Sequence, residues 1–136
     1  MPIQRLPSTG RAQVLEILAV KYNHRNVGLV AGSRVNVFIS TASFGTTATT
    51  YGEPRVFSCW ANDIDLVTSG STSTQFPFED DLEDSAGHGF LVATDQIFIQ
   101  CATTSTSATN IVDVKFYYRW KNVTLAEYIG IVQGQQ

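Results

Sequence analysis

Catalysis needs groups that titrate, attack or ligate, and this chain carries few of them in workable arrangements. Its two histidines are His24, in an expected turn over Asn23 to Asn26, and His88, between Gly87 and Gly89. No local pattern makes either a general base. Phosphate-cradling glycine loops, paired metal-binding cysteines, a His-Glu-x-x-His helix and a Gly-x-Ser-x-Gly elbow are all absent, so no enzymatic activity is expected.

The densest chemical feature is acidic. Five of the twelve Asp and Glu residues crowd into Glu79 to Asp84. Carboxylates at Asp80, Asp81, Glu83 and Asp84 could bind calcium weakly if the segment curls, because a hard cation takes several oxygens. The spacing lacks the alternating Asp-x-Asp-x-Asp-Gly of a calcium loop. The plainer reading is a solvated or intersubunit surface, paired with a basic patch such as Arg25, Arg34 or Arg119 on a neighbour. No other cofactor is implied.

Aromatic residues are the second feature. Trp60, Trp120, Tyr117 and Tyr118 could stack on sugar rings, but Tyr118 and Trp120 share a strand face with Val112 and Val114, which favours core packing. Tyr117 points the other way and is freer. Phe57, Trp60, Tyr117 and Arg119 are therefore the residues expected at an interface between subunits. Cys59 and Cys101 could be bridged only across neighbouring strands; both sit in apolar runs and are expected to be buried free thiols. Asn122-Val123-Thr124 matches a glycosylation acceptor, which means little without a secretory leader.

Composition sets the frame for these groups. The chain has 136 residues, 43% hydrophobic and 11% aromatic, long enough for one domain with a real core. Only 15% are charged, below the usual quarter, and Ser and Thr fill the solvent-facing positions instead. A net charge of −3 with nine scattered Lys and Arg argues against a nucleic-acid groove. No charged-then-apolar leader opens the sequence and no run of about 20 apolar residues is present, so neither a signal peptide nor a membrane span is expected.

The positioning elements read as strands. From Asn110 to Lys121, Val112, Val114, Phe116, Tyr118 and Trp120 alternate with Asp113, Lys115, Arg119 and Lys121, the two-residue period of a half-buried strand. Ser33 to Thr41 alternates likewise. Ala12 to Tyr22 fits either a helical stripe or a strand, and its β surroundings favour the strand. Pro54 to Ala61 is apolar on both sides, with Val56 and Trp60 opposite Phe57 and Cys59, which suits a central strand or a subunit contact. Ile64 to Val67 could continue it briefly before the loop from Ser69 to Thr74. Phe90 to Cys101 supplies another strand, and Tyr128 to Val132 is a last short apolar run. The reading is an all-β, antiparallel two-sheet sandwich of seven or eight strands, jelly-roll-like, with an N-terminal arm over 1–11 and one domain over 12–136.

The strand series, the threonine-rich loops, the short arm and the closing segment from Val114 to Ile129 (Val-Lys-Phe-Tyr-Tyr-Arg-Trp-Lys-Asn-Val-Thr-Leu-Ala-Glu-Tyr-Ile) together resemble small single jelly-roll capsid proteins of icosahedral viruses. The resemblance implies eight strands in two four-stranded sheets, subunits that tile a closed shell in the virion, and loops gathered around symmetry axes. Many such proteins hold the genome with a strongly basic N-terminal arm. This chain departs there, with only Arg5 and Arg11, which leaves a shell assisted by another protein or an internal membrane, or an external decorating or vertex role. Partners are then copies of the chain and other virion proteins. The competing reading, from a different class, is a carbohydrate-binding β-sandwich module. A small hydrolase on a β scaffold comes third, for want of a catalytic constellation.

Overall fold

One strand, β1 (Arg11–Arg25), organises the molecule. The computed structural model describes residues 10–25, 34–45, 50–63, 77–104 and 111–135. The N-terminal arm up to residue 9, the extension over 64–67, the loop over 69–74 and the Thr/Ser tip over 105–107 lie outside the described residues. Within them β1 is followed by β2 (Arg34–Ser40), β3 (Val56–Asp63), β4 (Phe78–Asp81), β5 (Phe90–Val92), β6 (Phe98–Thr104), β7 (Ile111–Thr124) and one helix, α1 (Leu125–Gln135).

All pairings are antiparallel. On one side β1 pairs along its whole length with β7, from Arg11↔Thr124 to Arg25↔Ile111. On its other side β5 and β4 lie end to end, registered at Leu15↔Val92 and Val20↔Asp80. The second sheet has the order β3-β2-β6, with Val37 opposite both Trp60 and Cys101. Two antiparallel sheets facing each other make the fold an all-β sandwich of seven described strands. First strand pairs with last in one sheet and second with sixth in the other, so the chain folds back on itself as one long nested hairpin.

The core sits between the sheets. Leu15, Ile17, Val20 and Tyr22 of β1 pack on Val37 and Ile39 of β2, with Phe57, Trp60, Phe90 and Phe116 closing around them. Two bulges tune which side chains arrive there. Leu18 is an extra residue in β1 between the pairs Ile17↔Tyr118 and Ala19↔Tyr117, so the core positions change from odd to even numbers without leaving the face. Phe57 is the extra residue in β3, between the partners of Ile39 and Ser40, and it stacks on Phe90 at 4.7 Å. The expected placement of Phe57 opposite Trp60 is thus corrected, since strict alternation does not survive a bulge.

Three further expectations are revised. His24 lies within β1 rather than in a turn, buried against Trp60 with the ring centres 5.5 Å apart. The run from Phe90 to Cys101 is two strands in different sheets, the chain crossing over between Val92 and Phe98. The last apolar run is helical: Thr124 and Glu127 form a reciprocal capping box, Thr124 N donating to Glu127 Oε2 (2.8 Å) and Glu127 N donating to Thr124 Oγ1 (3.3 Å). Tyr128, Ile131 and Val132 then lie over Ala12, Val14 and Val123 on the outer face of the first sheet. Substituting Thr124→Ala is expected to cost about 1 kcal/mol and lower the melting temperature by roughly 3–4 °C in a thermal unfolding experiment.

The cysteines are free, on strands that flank β2. Cys59 lies opposite Phe38 and Cys101 opposite Val37, adjacent residues that point to opposite faces, so no bridge forms between them. Burial and the nearby charge of Asp80 push the Cys59 thiol above its usual range, which keeps it unreactive. Cys101 is exposed, unlike the buried thiol expected.

Candidate interaction site

The two sheets close tightly on one side and stand open on the other. On the closed side Asp80 of β4 points inward, because it faces Val20, and accepts a hydrogen bond from Ser58 Oγ of β3 at 2.5 Å. Tyr22 Oη lies 2.5 Å from the same Ser58 oxygen, whose proton already goes to Asp80, so Tyr22 donates. Tyr22 and Ser58 are each 1% exposed, and burial holds the Tyr22 phenol well above its usual range. A neutral tyrosine, a serine and a carboxylate in series thus bolt the sheets together out of reach of any substrate. Substituting Ser58→Ala removes the partner of the buried Tyr22 hydroxyl and of the half-buried Asp80 carboxylate and is expected to cost about 2 kcal/mol in urea unfolding, more than Tyr22→Phe, which leaves Ser58 bonded to Asp80.

This geometry divides the acidic segment. Consecutive strand residues face opposite ways, so Asp80 enters the core while Asp81 lies on the outer face opposite Ala19. Glu79 pairs with Lys21 at 2.7 Å. Asp81 Oδ1 accepts from Glu83 N, and Asp84 caps the next turn, accepting from the backbone of Ala86 and His88 and lying 3.3 Å from His88 Nδ1. Backbone donation by His88, with help from Ala86, holds the Asp84 carboxyl below its usual range against desolvation. Asp80, Asp81, Glu83 and Asp84 do not converge, and among the described residues no three His, Cys, Asp or Glu side chains gather into a metal-sized group.

The expected basic partners are also engaged within the chain. Arg25 pairs with Asp113 at 3.0 Å. Arg119 donates to Glu16 and, at 2.8 Å, to the Gly87 carbonyl. Glu16 is 0% exposed and also accepts from Lys121 Nζ and Gly89 N. This ionic knot on the outer face of the first sheet escaped the sequence reading. Its signal was present: a lone carboxylate inside the apolar run Val14 to Leu18, with two cations on alternate positions of the strand that pairs with it.

Of the interface candidates, Trp60 and Phe57 belong to the core wall, Trp60 stacking on Tyr22 with ring centres 6.3 Å apart. Tyr117 and Arg119 stand exposed on the outer face of β7. Lys21 Nζ and Lys115 Nζ lie 5.2 and 5.4 Å from the Tyr117 ring centre. Desolvation pushes the Tyr117 phenol up, and the two ammonium groups outweigh it, leaving the phenol below its usual range.

The open side carries the larger surface. Val112, Val114, Phe116, Tyr118 and Trp120 do share the core-facing side of β7, opposite His24, Tyr22, Val20, Ile17 and Leu15. Tyr118 is nevertheless 43% exposed and Trp120 41%, with their rings edge to face at 6.3 Å. Across the gap Ile99 of β6, on the same sheet face as Ile39, is 52% exposed. The expectation that Tyr118 and Trp120 pack in the core is corrected: periodicity gives the face, and the facing sheet, three strands wide among the described residues, leaves these two rings partly exposed. Beside Tyr118 and Trp120, against the connection from β5 to β6, lies a cavity of about 270 Å³ lined by Leu15, Val92, Thr94, Asp95, Gln96, Ile97 and Phe116 together with these two rings.

The open side of the sandwich thus presents an aromatic lip formed by Tyr118 and Trp120. No helix in the described residues is long and apolar enough to cross a membrane. No family model matches the chain, and neither the curated proteins nor the solved structures contain a significant match to it.

Proposed function

We propose that this protein is a structural virion subunit that works by self-association rather than by catalysis, assembling through sheet and loop contacts into a closed shell. The observation that carries the reading is the exposure of aromatic rings on both sides of β7, Tyr118 and Trp120 on its core-facing side and Tyr117 on its outer side, which is costly for a solitary domain and natural for one buried by neighbours. A surface poor in charge and rich in Ser and Thr supports broad lateral packing, and symmetric closure multiplies one modest interface into a stable particle. Electron microscopy and light scattering of the purified protein test it. Uniform shells or rings are the expected result; monomers at every concentration and ionic strength overturn it.

The groove favours one second reading, a carbohydrate-binding module. Tyr118 and Trp120 offer apolar ring faces beside the hydrogen-bonding groups of Thr94, Asp95 and Gln96. A volume of about 270 Å³ falls just below the range of drug-sized sites and suits one sugar ring rather than a chain. Retention of monomers on a glycan array, lost on Trp120→Ala, would select this reading over the shell.

A further inference from the structure

We infer that the free edge of β7 is a docking site for a second copy of this chain, joined to it antiparallel about a two-fold axis through Phe116. The inference rests on the self-association proposed above and names its first contact. Among the described residues β1 is the only strand paired with β7, so the other edge of its 14 residues presents unpaired backbone groups. Long flat edges are normally blunted by a proline, a bulge, shortness or charged side chains, and of these β7 carries only the last, Lys115, Arg119 and Lys121 on its outer face. β7 has no proline, and the bulge in its ladder with β1 lies in β1.

The side chains select both the partner and the register. Pairing β7 with itself around Phe116 sets Val114 opposite Tyr118 of the other copy and Val112 opposite Trp120, each an aromatic against a β-branched residue. On the outer face the same register sets Asp113 opposite Arg119 and Lys115 opposite Tyr117. These four pairs are favourable and each occurs twice, Asp113 and Arg119 joining across the seam the ion pairs they already make with Arg25 and Glu16, while Phe116 meets its copy once on the axis and Ile111 faces Lys121 at the frayed ends. A shift of the axis by one residue, to Tyr117, sets Lys115 against Arg119 and repels. The axis through Phe116 runs perpendicular to the sheet, so the core-facing sides stay on one side and the two grooves merge. Tyr118 and Trp120, exposed in the single chain, then gain neighbours across the seam.

Disulfide trapping tests the register in the full chain with Cys59→Ser and Cys101→Ser as background. Phe116→Cys should cross-link to itself under mild oxidation, since directly opposed strand residues lie within the reach of a disulfide. An equimolar mixture of Val114→Cys and Tyr118→Cys should give the mixed dimer, which keeps the test valid if the Phe116 variant folds poorly. Asp113→Lys, with two new repulsive pairs per dimer, should weaken dimerisation about tenfold in sedimentation equilibrium. Cross-linking of Tyr117→Cys instead of Phe116→Cys, or no cross-link in either experiment, overturns the inference. Particles without these cross-links refute the edge contact and leave the shell reading standing; cross-linked dimers that never grow refute the shell and leave the contact.

Discussion

Substituting Glu16→Ala should destabilise the fold by about 3 kcal/mol and lower its melting temperature by roughly 10 °C, as expected when one member of a buried ion pair is removed. Glu16 has no exposed surface, and its oxygens are occupied by Arg119, by Lys121 Nζ at 3.2 Å and by Gly89 N at 3.1 Å. Removing the carboxylate unpairs a backbone donor and leaves two cations facing each other across an empty site. The Arg119 hydrogen bond, opposed by burial and aided by Lys121 and Gly89, holds the Glu16 carboxyl at about 2 instead of 4.5. A carboxyl depressed in the folded state stabilises above its unfolded value and loses that contribution as pH falls towards its folded value. Because the Arg119 side chain is 51% exposed, screening limits this share to about 2 kcal/mol. Urea unfolding should therefore separate wild type from Glu16→Gln clearly at pH 7, and the gap should close between about pH 4.5 and pH 2. A gap constant over that window would show that the charge contributes nothing.

Gly89→Ala should be as damaging, by about 3 kcal/mol or more, through overpacking rather than lost charge. A Cβ on Gly89 would sit 2.2 Å from the carbonyl oxygen of Ile17 and 2.8 Å from its carbon, and backbone cannot swing aside as a side chain can. The turn holding Gly89 must lift from β1, breaking the hydrogen bond to Glu16 and the one from Arg119 to Gly87. Gly130→Ala is the contrast, since nothing lies within 4 Å of a Cβ built there; in a helix interior it should stabilise by roughly 0.5–1 kcal/mol. Combining Gly89→Ala with Glu16→Gln should cost less than the sum of the two, because both act on one network. Chemical denaturation of the four variants reads all of this.

The strands that alternate cleanly, β2 and β7, were legible from residue types alone, while β1 was read as a strand only from its β surroundings, and together they gave the two-layer architecture. Bulges at Leu18 and Phe57 were not, because one inserted residue leaves composition unchanged while it resets the faces. Helix α1 was obscured by Gly130 and Gly134, yet Thr124-x-x-Glu127 is a capping signature visible in sequence. The site was half legible. Alternation placed Tyr118 and Trp120 on the core-facing side of β7, but their exposure depends on the width of the opposite sheet, a property of packing. In the acidic segment, strand geometry sends neighbouring carboxylates to opposite faces, as Asp80 and Asp81 show, which residue types alone do not reveal.

Pairing between β1 and β7 also has a kinetic consequence. The strand at the centre of the hydrophobic interior is synthesised about a hundred residues before its full-length hydrogen-bonding companion, which predicts slow maturation dominated by long-range loop closure. Until then Val14, Ile17 and Val20 remain sticky and unsheltered, so yield in the cell should depend on chaperone supply and on slow translation or low temperature more than on final thermodynamic stability.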